Sequence, residues 1–168
     1  MQPTTLLAGA KRARKPYIMK RYTQLPFSLY RTQPGLPVRL RSYEEQAALG
    51  RSSFDVVLHD GLVLPMPEGA VYTTPNGMSL RPLGENFERI LRGFRGEPQI
   101  YALRGGITLP EGLVVLHERT DHYSLQTTVP LTLAQFNDTL TEFLRSLPRP
   151  ATKAQILEWL EDEDDQDN

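Results

Sequence analysis

The order of apolar and polar residues is clearest from Leu113 to Thr128. Leu113-Val114-Val115-Leu116 is an apolar run suited to a buried strand, and Arg119-Thr120-Asp121 is a polar break. Tyr123, Leu125 and Thr127 then alternate with Ser124, Gln126 and Thr128, so one set of side chains points inward and the other outward. The pattern predicts a β-hairpin. Further strands are expected at Phe27–Arg31 before the Pro34-Gly35 turn, at Phe54–Leu58 and Leu62–Leu64 around Asp60-Gly61, at Val71–Thr74 before Pro75-Asn76-Gly77, and at Gln99–Leu103.

Helical spacing appears in four places. Ser42-Tyr43-Glu44-Glu45 has the form of a capping box, and Gly50 supplies a stop. Phe87, Ile90, Leu91 and Phe94 fall at i, i+3, i+4 and i+7, ending at Gly93 and Gly96. Thr132 and Gln135 form a second capping box ahead of the Phe136, Leu140, Phe143, Leu144 and Leu147 stripe, which predicts a helix covering the sheet. Thr152, with Ile156, Leu157, Trp159 and Leu160, starts a last short helix after Pro148 and Pro150. Strands and helices mixed in this way read as an α+β fold.

Composition narrows the picture. The 168 residues are 39% hydrophobic, with no apolar run of about 18 residues, so a single domain over residues 25–160 and no membrane span are expected. The start of the chain has no apolar stretch ending in a small-residue cleavage site. With no cysteine there is no disulfide, thiolate zinc site or cysteine nucleophile, and any catalysis relies on oxygen and nitrogen groups. A net charge of −1 hides a basic beginning and an acidic end. Lys11, Arg12, Arg14, Lys15, Lys20 and Arg21 give residues 1–24 the character of a solvated flexible arm, nucleic-acid binding being the less favoured alternative. The run Glu161-Asp162-Glu163-Asp164-Asp165 gives residues 161–168 that of a disordered tail.

The hairpin also concentrates chemistry. His117, Glu118, Arg119, Asp121, His122 and Tyr123 surround one bend, where a cleft rim is expected. His117 and His122 are five apart across a turn, without the spacing of a metal site. The strained Gly-x-Ser-x-Gly turn of a serine hydrolase and the glycine-rich phosphate loops are absent from the sequence. A dinucleotide is the better match. Arg31 can pair a phosphate through its planar fork, Ser79 can bond a ribose or support the sheet, and His122 or Tyr123 can contact ribose or nicotinamide. His122 reads equally as a satisfied structural histidine.

Five segments, in order, resemble a known family: Ser28-Leu29-Tyr30-Arg31; Phe54-Asp55-Val56-Val57 with Asp60-Gly61-Leu62; Gly77-Met78-Ser79; Ile107 to Leu113; and Asp121 to Gln126. This is the second type-six-exported effector family, small growth-arresting toxins of bacterial type VI secretion with fungal homologues. The string from Leu113 to Gln126, with Pro130-Leu131-Thr132 and Phe136-Asn137, looks closest to the fungal branch. The resemblance implies an ADP-ribosyltransferase-like fold of two small packed sheets with covering helices. It also implies NAD as substrate, held by Arg31, Ser79 and His122, with Ser79, His122 and Tyr123 at the catalytic centre and Glu118 a candidate carboxylate by position. The family's Thr-Ser pair stands here as Met78-Ser79, and there is no Glu-x-Glu motif.

The implied reaction cleaves the nicotinamide–ribose bond in the cytoplasm and passes ADP-ribose to an unknown macromolecular acceptor. A bacterial producer then needs an immunity protein. This reading expects His122→Ala and Ser79→Ala to abolish toxicity with thermal unfolding nearly unchanged. The alternative is a non-catalytic protein of the same fold that docks a macromolecular partner through the hairpin and the basic arm.

Overall fold

The computed structural model describes residues 17–167. In chain order its elements are β1 (Lys20–Tyr22), β2 (Leu29–Gln33), α1 (Tyr43–Ala48), β3 (Leu62–Val63), β4 (Met78–Leu80), α2 (Glu85–Gly93), β5 (Gln99–Leu103), β6 (Leu113–Arg119), β7 (His122–Thr127), β8 (Leu131–Thr132), α3 (Leu133–Ser146), β9 (Ala151–Thr152) and α4 (Lys153–Gln166). The hairpin forms as its pattern predicts, closed by the two-residue turn Thr120-Asp121. It is the centre of a four-stranded antiparallel sheet in the order β1-β6-β7-β4. A second sheet runs β2-β5-β9, and β3 pairs with β8 in a third, two-stranded piece. The two larger sheets meet where Tyr30 and Arg81 exchange backbone hydrogen bonds of 2.7 and 3.1 Å. This is the expected α+β architecture of small sheets with covering helices.

Alternation decides which residues make the core. Met78, Leu80, Tyr123 and Leu125 share one face of β4 and β7 and pack with Leu29, Leu103, Phe136, Leu140 and Leu144. Helix α3 therefore covers the sheet, as its stripe predicts. Its capping box is complete: the Thr132 hydroxyl accepts from the Gln135 N–H at 3.2 Å, and Gln135 Oε1 accepts from the Thr132 N–H at 3.0 Å. Thr132→Ala is expected to cost about 1 kcal/mol, a fall of roughly 2 to 4 °C in Tm by calorimetry. An unchanged Tm would show that packing alone holds this helix start.

Several expectations are corrected. Phe54–Leu58 and Val71–Thr74 form only single bridges, Ser42 with Val56 and Ile18 with Val71. The first segment satisfies its backbone elsewhere: the Asp55 and Val56 N–H groups donate to the Arg41 carbonyl and the Leu58 N–H to the Glu44 carboxylate. The Asp60-Gly61 turn is present, with φ of 51° and 78°, but it closes only the His59–Leu62 bridge, and β3 pairs with β8 instead.

At the basic end, residues 1–16 lie outside the described residues, including Lys11, Arg12, Arg14 and Lys15. Residues 20–22 form an edge strand on β6, with Arg21 Nη1 donating to the Met66 carbonyl at 2.9 Å, so this part of the expected flexible arm is ordered. At the acidic end, α4 continues to Gln166, which makes residues 161–166 helical where a disordered tail is expected. Ile156 and Leu160 anchor the helix against Phe87, Leu91 and Ile100, and Arg92 of α2 reaches both Glu88 and Glu161. Trp159 belongs to the apolar stripe by spacing yet faces outward. Among the described residues no helix is long and apolar enough to cross a membrane.

Candidate active site

Where the two larger sheets meet they leave a cleft of about 680 Å³. Its wall carries Arg31 and Gln33 from β2, Arg39 and Arg41 from the loop before α1, Ser79 and Arg81 from β4 and its end, and the rings of Tyr30, Phe87 and Phe94. The volume lies in the range of ordinary ligand pockets. Its charge is one-sided. Among the described residues Asp55 is the one carboxylate in its lining, and Arg41 holds it through Nε at 3.1 Å, Nη2 at 3.2 Å and the backbone N–H at 2.7 Å. Arg81 pairs with Asp121 at 2.8 Å. Arg31 and Arg39 have no ion pair among the described residues.

Arg31 is fixed without being neutralised. Its Nε donates to Gln33 Oε1 at 2.9 Å and its Nη1 to the Ser79 carbonyl at 3.3 Å. Desolvation brings its guanidinium down to about 10, against the opposing pull of Asp55. That leaves it charged at neutral pH, an enclosed cation with neutral partners. A phosphate entering the cleft meets this charge in a setting where a charge-assisted bond is strong.

Ser79 links the cleft to the hairpin. On β4 it lies opposite Ser124 of β7, so its side chain shares the face of His122, Ser124 and Gln126. Its Oγ is 3.2 Å from His122 Nε2, and His122 Nδ1 is 2.5 Å from Glu118 Oε2. A carboxylate accepts, so the neutral ring is assigned its proton at Nδ1, which leaves Nε2 to accept from the Ser79 hydroxyl. Behind Glu118, Gln126 Nε2 approaches Oε1 at 3.5 Å and donates to Ser124 Oγ at 2.7 Å. Asn76 Nδ2 in turn donates to Gln126 Oε1 at 3.1 Å and to the Leu64 carbonyl at 2.8 Å. The result is a continuous relay from Ser79 at the cleft to Asn76, beyond Gln126.

A register shift between His117 and Arg119 explains the position of Glu118. The bulge opposes Arg119, rather than Glu118, to His122 and brings the carboxylate under the ring. Glu118 is 1% exposed and does not line the cleft, so it acts on a ligand only through His122. Among the candidates, the structure therefore brings together Arg31, Ser79, His122 and Glu118, in that order from cleft to core. It separates Tyr123 from them. One step along β7, Tyr123 faces the opposite side, stacked on His117 with ring centroids 4.2 Å apart and edge-on to Phe27. From that side Tyr123, expected at ribose or nicotinamide, does not line the cleft.

His117 is a satisfied structural histidine. Its Nε2 donates to the Thr120 carbonyl at 2.6 Å, which leaves Nδ1 to accept from the Tyr17 hydroxyl at 2.9 Å. Met78, where the resemblance implies a threonine, is fully buried on the core face opposite Leu125. A hydroxyl there would face the core, so the substitution removes nothing from the cleft.

Sequence reading missed Asn76 and Gln126 in the relay, and Arg39, Arg41 and Asp55 in the cleft. Gln126 carried a signal: it falls two and four residues beyond Ser124 and His122, on one face of a strand. The cleft residues come from the loops on either side of α1 and carried none. No curated protein and no solved structure matches the chain. The family described as Tse2 ADP-ribosyltransferase toxin matches residues 27–156, a span that contains every strand of the two larger sheets except β1, together with the cleft wall and the whole relay. On that match the chain belongs to the Tse2 ADP-ribosyltransferase toxin family.

Proposed function

We propose that the chain is an NAD-consuming toxin that acts in the cytoplasm and transfers ADP-ribose to a macromolecular acceptor. The observation that carries the reading is the cleft itself, where Arg31 and Arg39, without an ion pair among the described residues, lie beside the rings of Tyr30, Phe87 and Phe94, and where Ser79 brings the outer end of the Ser79–His122–Glu118 relay to the wall. The two guanidiniums suit a pyrophosphate, and Tyr30, Phe87 and Phe94 suit a flat ring. Ser79 and His122 then stand at the nicotinamide ribose. Cleavage of the nicotinamide–ribose bond builds positive charge on that sugar, and fixed dipoles aimed at it lower the barrier. Glu118 holds His122 in the tautomer that accepts the Ser79 proton. In a bacterial producer such a toxin needs an immunity protein. The closeness to the fungal branch rests on the Leu113–Gln126 string.

Arg39→Ala tests the cleft cleanly, because Arg39 is exposed and has no ion pair to lose among the described residues. Calorimetry is expected to show NAD binding to the wild type and an affinity about 10 to 100-fold weaker in the variant, the value of one charge-assisted contact of roughly 1.5 to 3 kcal/mol. Equal binding by both chains would remove Arg39 from the ligand. No binding by either favours the second reading, a non-catalytic protein that docks a partner. What supports that reading is the locking of Asp55, the cleft's one carboxylate, by Arg41.

A further inference from the structure

The geometry points to Ser79 as a nucleophile that itself takes the ADP-ribosyl group, forming a covalent ADP-ribosyl-serine on the toxin. The inference rests on the NAD reading of the cleft. Three observations carry it. First, Ser79 is the cleft hydroxyl with a base: its Oγ is 3.2 Å from His122 Nε2, and the Glu118 carboxylate behind the ring, 2.5 Å from Nδ1, holds the tautomer and stabilises the imidazolium formed when His122 takes a proton. A nucleophile, a base and a group orienting the base, each in hydrogen-bond reach of the next, form the arrangement that activates a hydroxyl. Second, Glu118 is buried behind His122 and cannot reach a sugar in the cleft. Third, Asp55 is tied to Arg41 by two side-chain hydrogen bonds and a backbone one, which offsets the negative charge it would offer to a ribosyl cation. Capture by the neighbouring Ser79 oxygen quenches that cation where, among the described residues, no free carboxylate lines the cleft.

The step balances within the groups named. The bond from the ribose anomeric carbon to the nicotinamide nitrogen breaks, and its electron pair neutralises the pyridinium ring, which leaves as nicotinamide. The Ser79 Oγ bonds to the anomeric carbon, and the hydroxyl proton passes to His122 Nε2. In a later attack by water or an acceptor hydroxyl at the same carbon, His122 returns its proton to the departing Ser79 Oγ, then takes the proton of the attacking oxygen and releases it to solvent. Two displacements at one carbon retain the β configuration of NAD, whereas one direct displacement inverts it.

The test incubates the full chain with NAD in buffer containing methanol. Intact-protein mass spectrometry follows the chain, and proton NMR reads the anomer of the methyl ADP-ribose released. A mass increase of one ADP-ribosyl group that maps to Ser79 and is absent from Ser79→Ala, or a β-methyl product, supports the covalent step. An α-methyl product, an adduct confined to another residue, or product formation undiminished in Ser79→Ala overturns it. Ser79→Cys provides a second probe, since its thioglycoside hydrolyses more slowly and is expected to accumulate. NAD bound by calorimetry with neither adduct nor product overturns the covalent step alone, whereas no NAD binding overturns the reading beneath it.

Discussion

His122→Ala is expected to lose both toxicity and stability, and Glu118→Gln in the same chain is expected to restore only the stability. Removing the imidazole withdraws the base from Ser79, a role worth about 10² to 10⁴ in rate, so induced expression should no longer arrest growth or deplete cellular NAD. The same deletion leaves Glu118, 1% exposed, with Gln126 at 3.5 Å as its remaining side-chain partner. Stranding a buried carboxylate costs about 3 to 5 kcal/mol. The fold therefore corrects the expectation from sequence that thermal unfolding stays nearly unchanged. A neutral glutamine at 118 removes the stranded charge, so the double variant should unfold close to the wild type while staying inactive. Ser79→Ala is the complementary probe, because it removes the nucleophile at the half-exposed end of the relay and leaves the buried pair intact. A stable, non-toxic Ser79→Ala beside an unstable, non-toxic His122→Ala supports the relay. Full toxicity in either single variant would remove the relay from the chemistry.

How much of this was legible in the chain follows from how local each signal was. The hairpin, β5 and the start of α3 were readable because alternation and the Thr132–Gln135 box are properties of adjacent residues. Strand β1 was not, since Lys20-Arg21-Tyr22 has no strand character alone and is ordered by pairing with β6. Phe54–Leu58 failed in the opposite sense, its apolar pattern fitting a strand while Arg41 and Glu44 take up its backbone groups. Acidity concealed the length of α4, which is tied to Arg92 through Glu161 and packed through Leu160.

Within the site, Arg31, Ser79 and His122 are singled out in the sequence by order and residue type, and the fold sets them side by side. The placement of Glu118 under His122 depends on the bulge, and that of Tyr123 on the other side of the sheet depends on register; a list of reactive residues around a turn contains neither. Sequence placed a carboxylate, a histidine and a tyrosine together. The pleat separated the tyrosine.

Gly77→Ala is expected to disable the site from a residue that touches no ligand. A Cβ at Gly77 would stand 2.3 Å from the Leu125 carbonyl oxygen and 2.9 Å from Gln126 Cγ. The nearer atom is β7 backbone, so the side chain cannot simply swing away and β4 must shift from its partner strand. Overpacking of this kind costs roughly 1 to 3 kcal/mol, and backbone on the receiving side puts the expectation near the top of that range. The displacement falls between Asn76 and Ser79, so it loosens both ends of the relay at once. Misplacing a reacting group by about 1 Å can cost 10²-fold in rate, and NAD turnover should fall by at least that factor in whatever fraction of the protein stays folded. Gly93→Ala, at the end of α2 with no atom within 4 Å of the added carbon, is the control and should leave both readouts near wild type. Chemical denaturation with a turnover assay on the folded fraction separates the two effects. Wild-type values of both for Gly77→Ala would mean that the close approach of β4 to β7 does not set the Ser79–His122 distance.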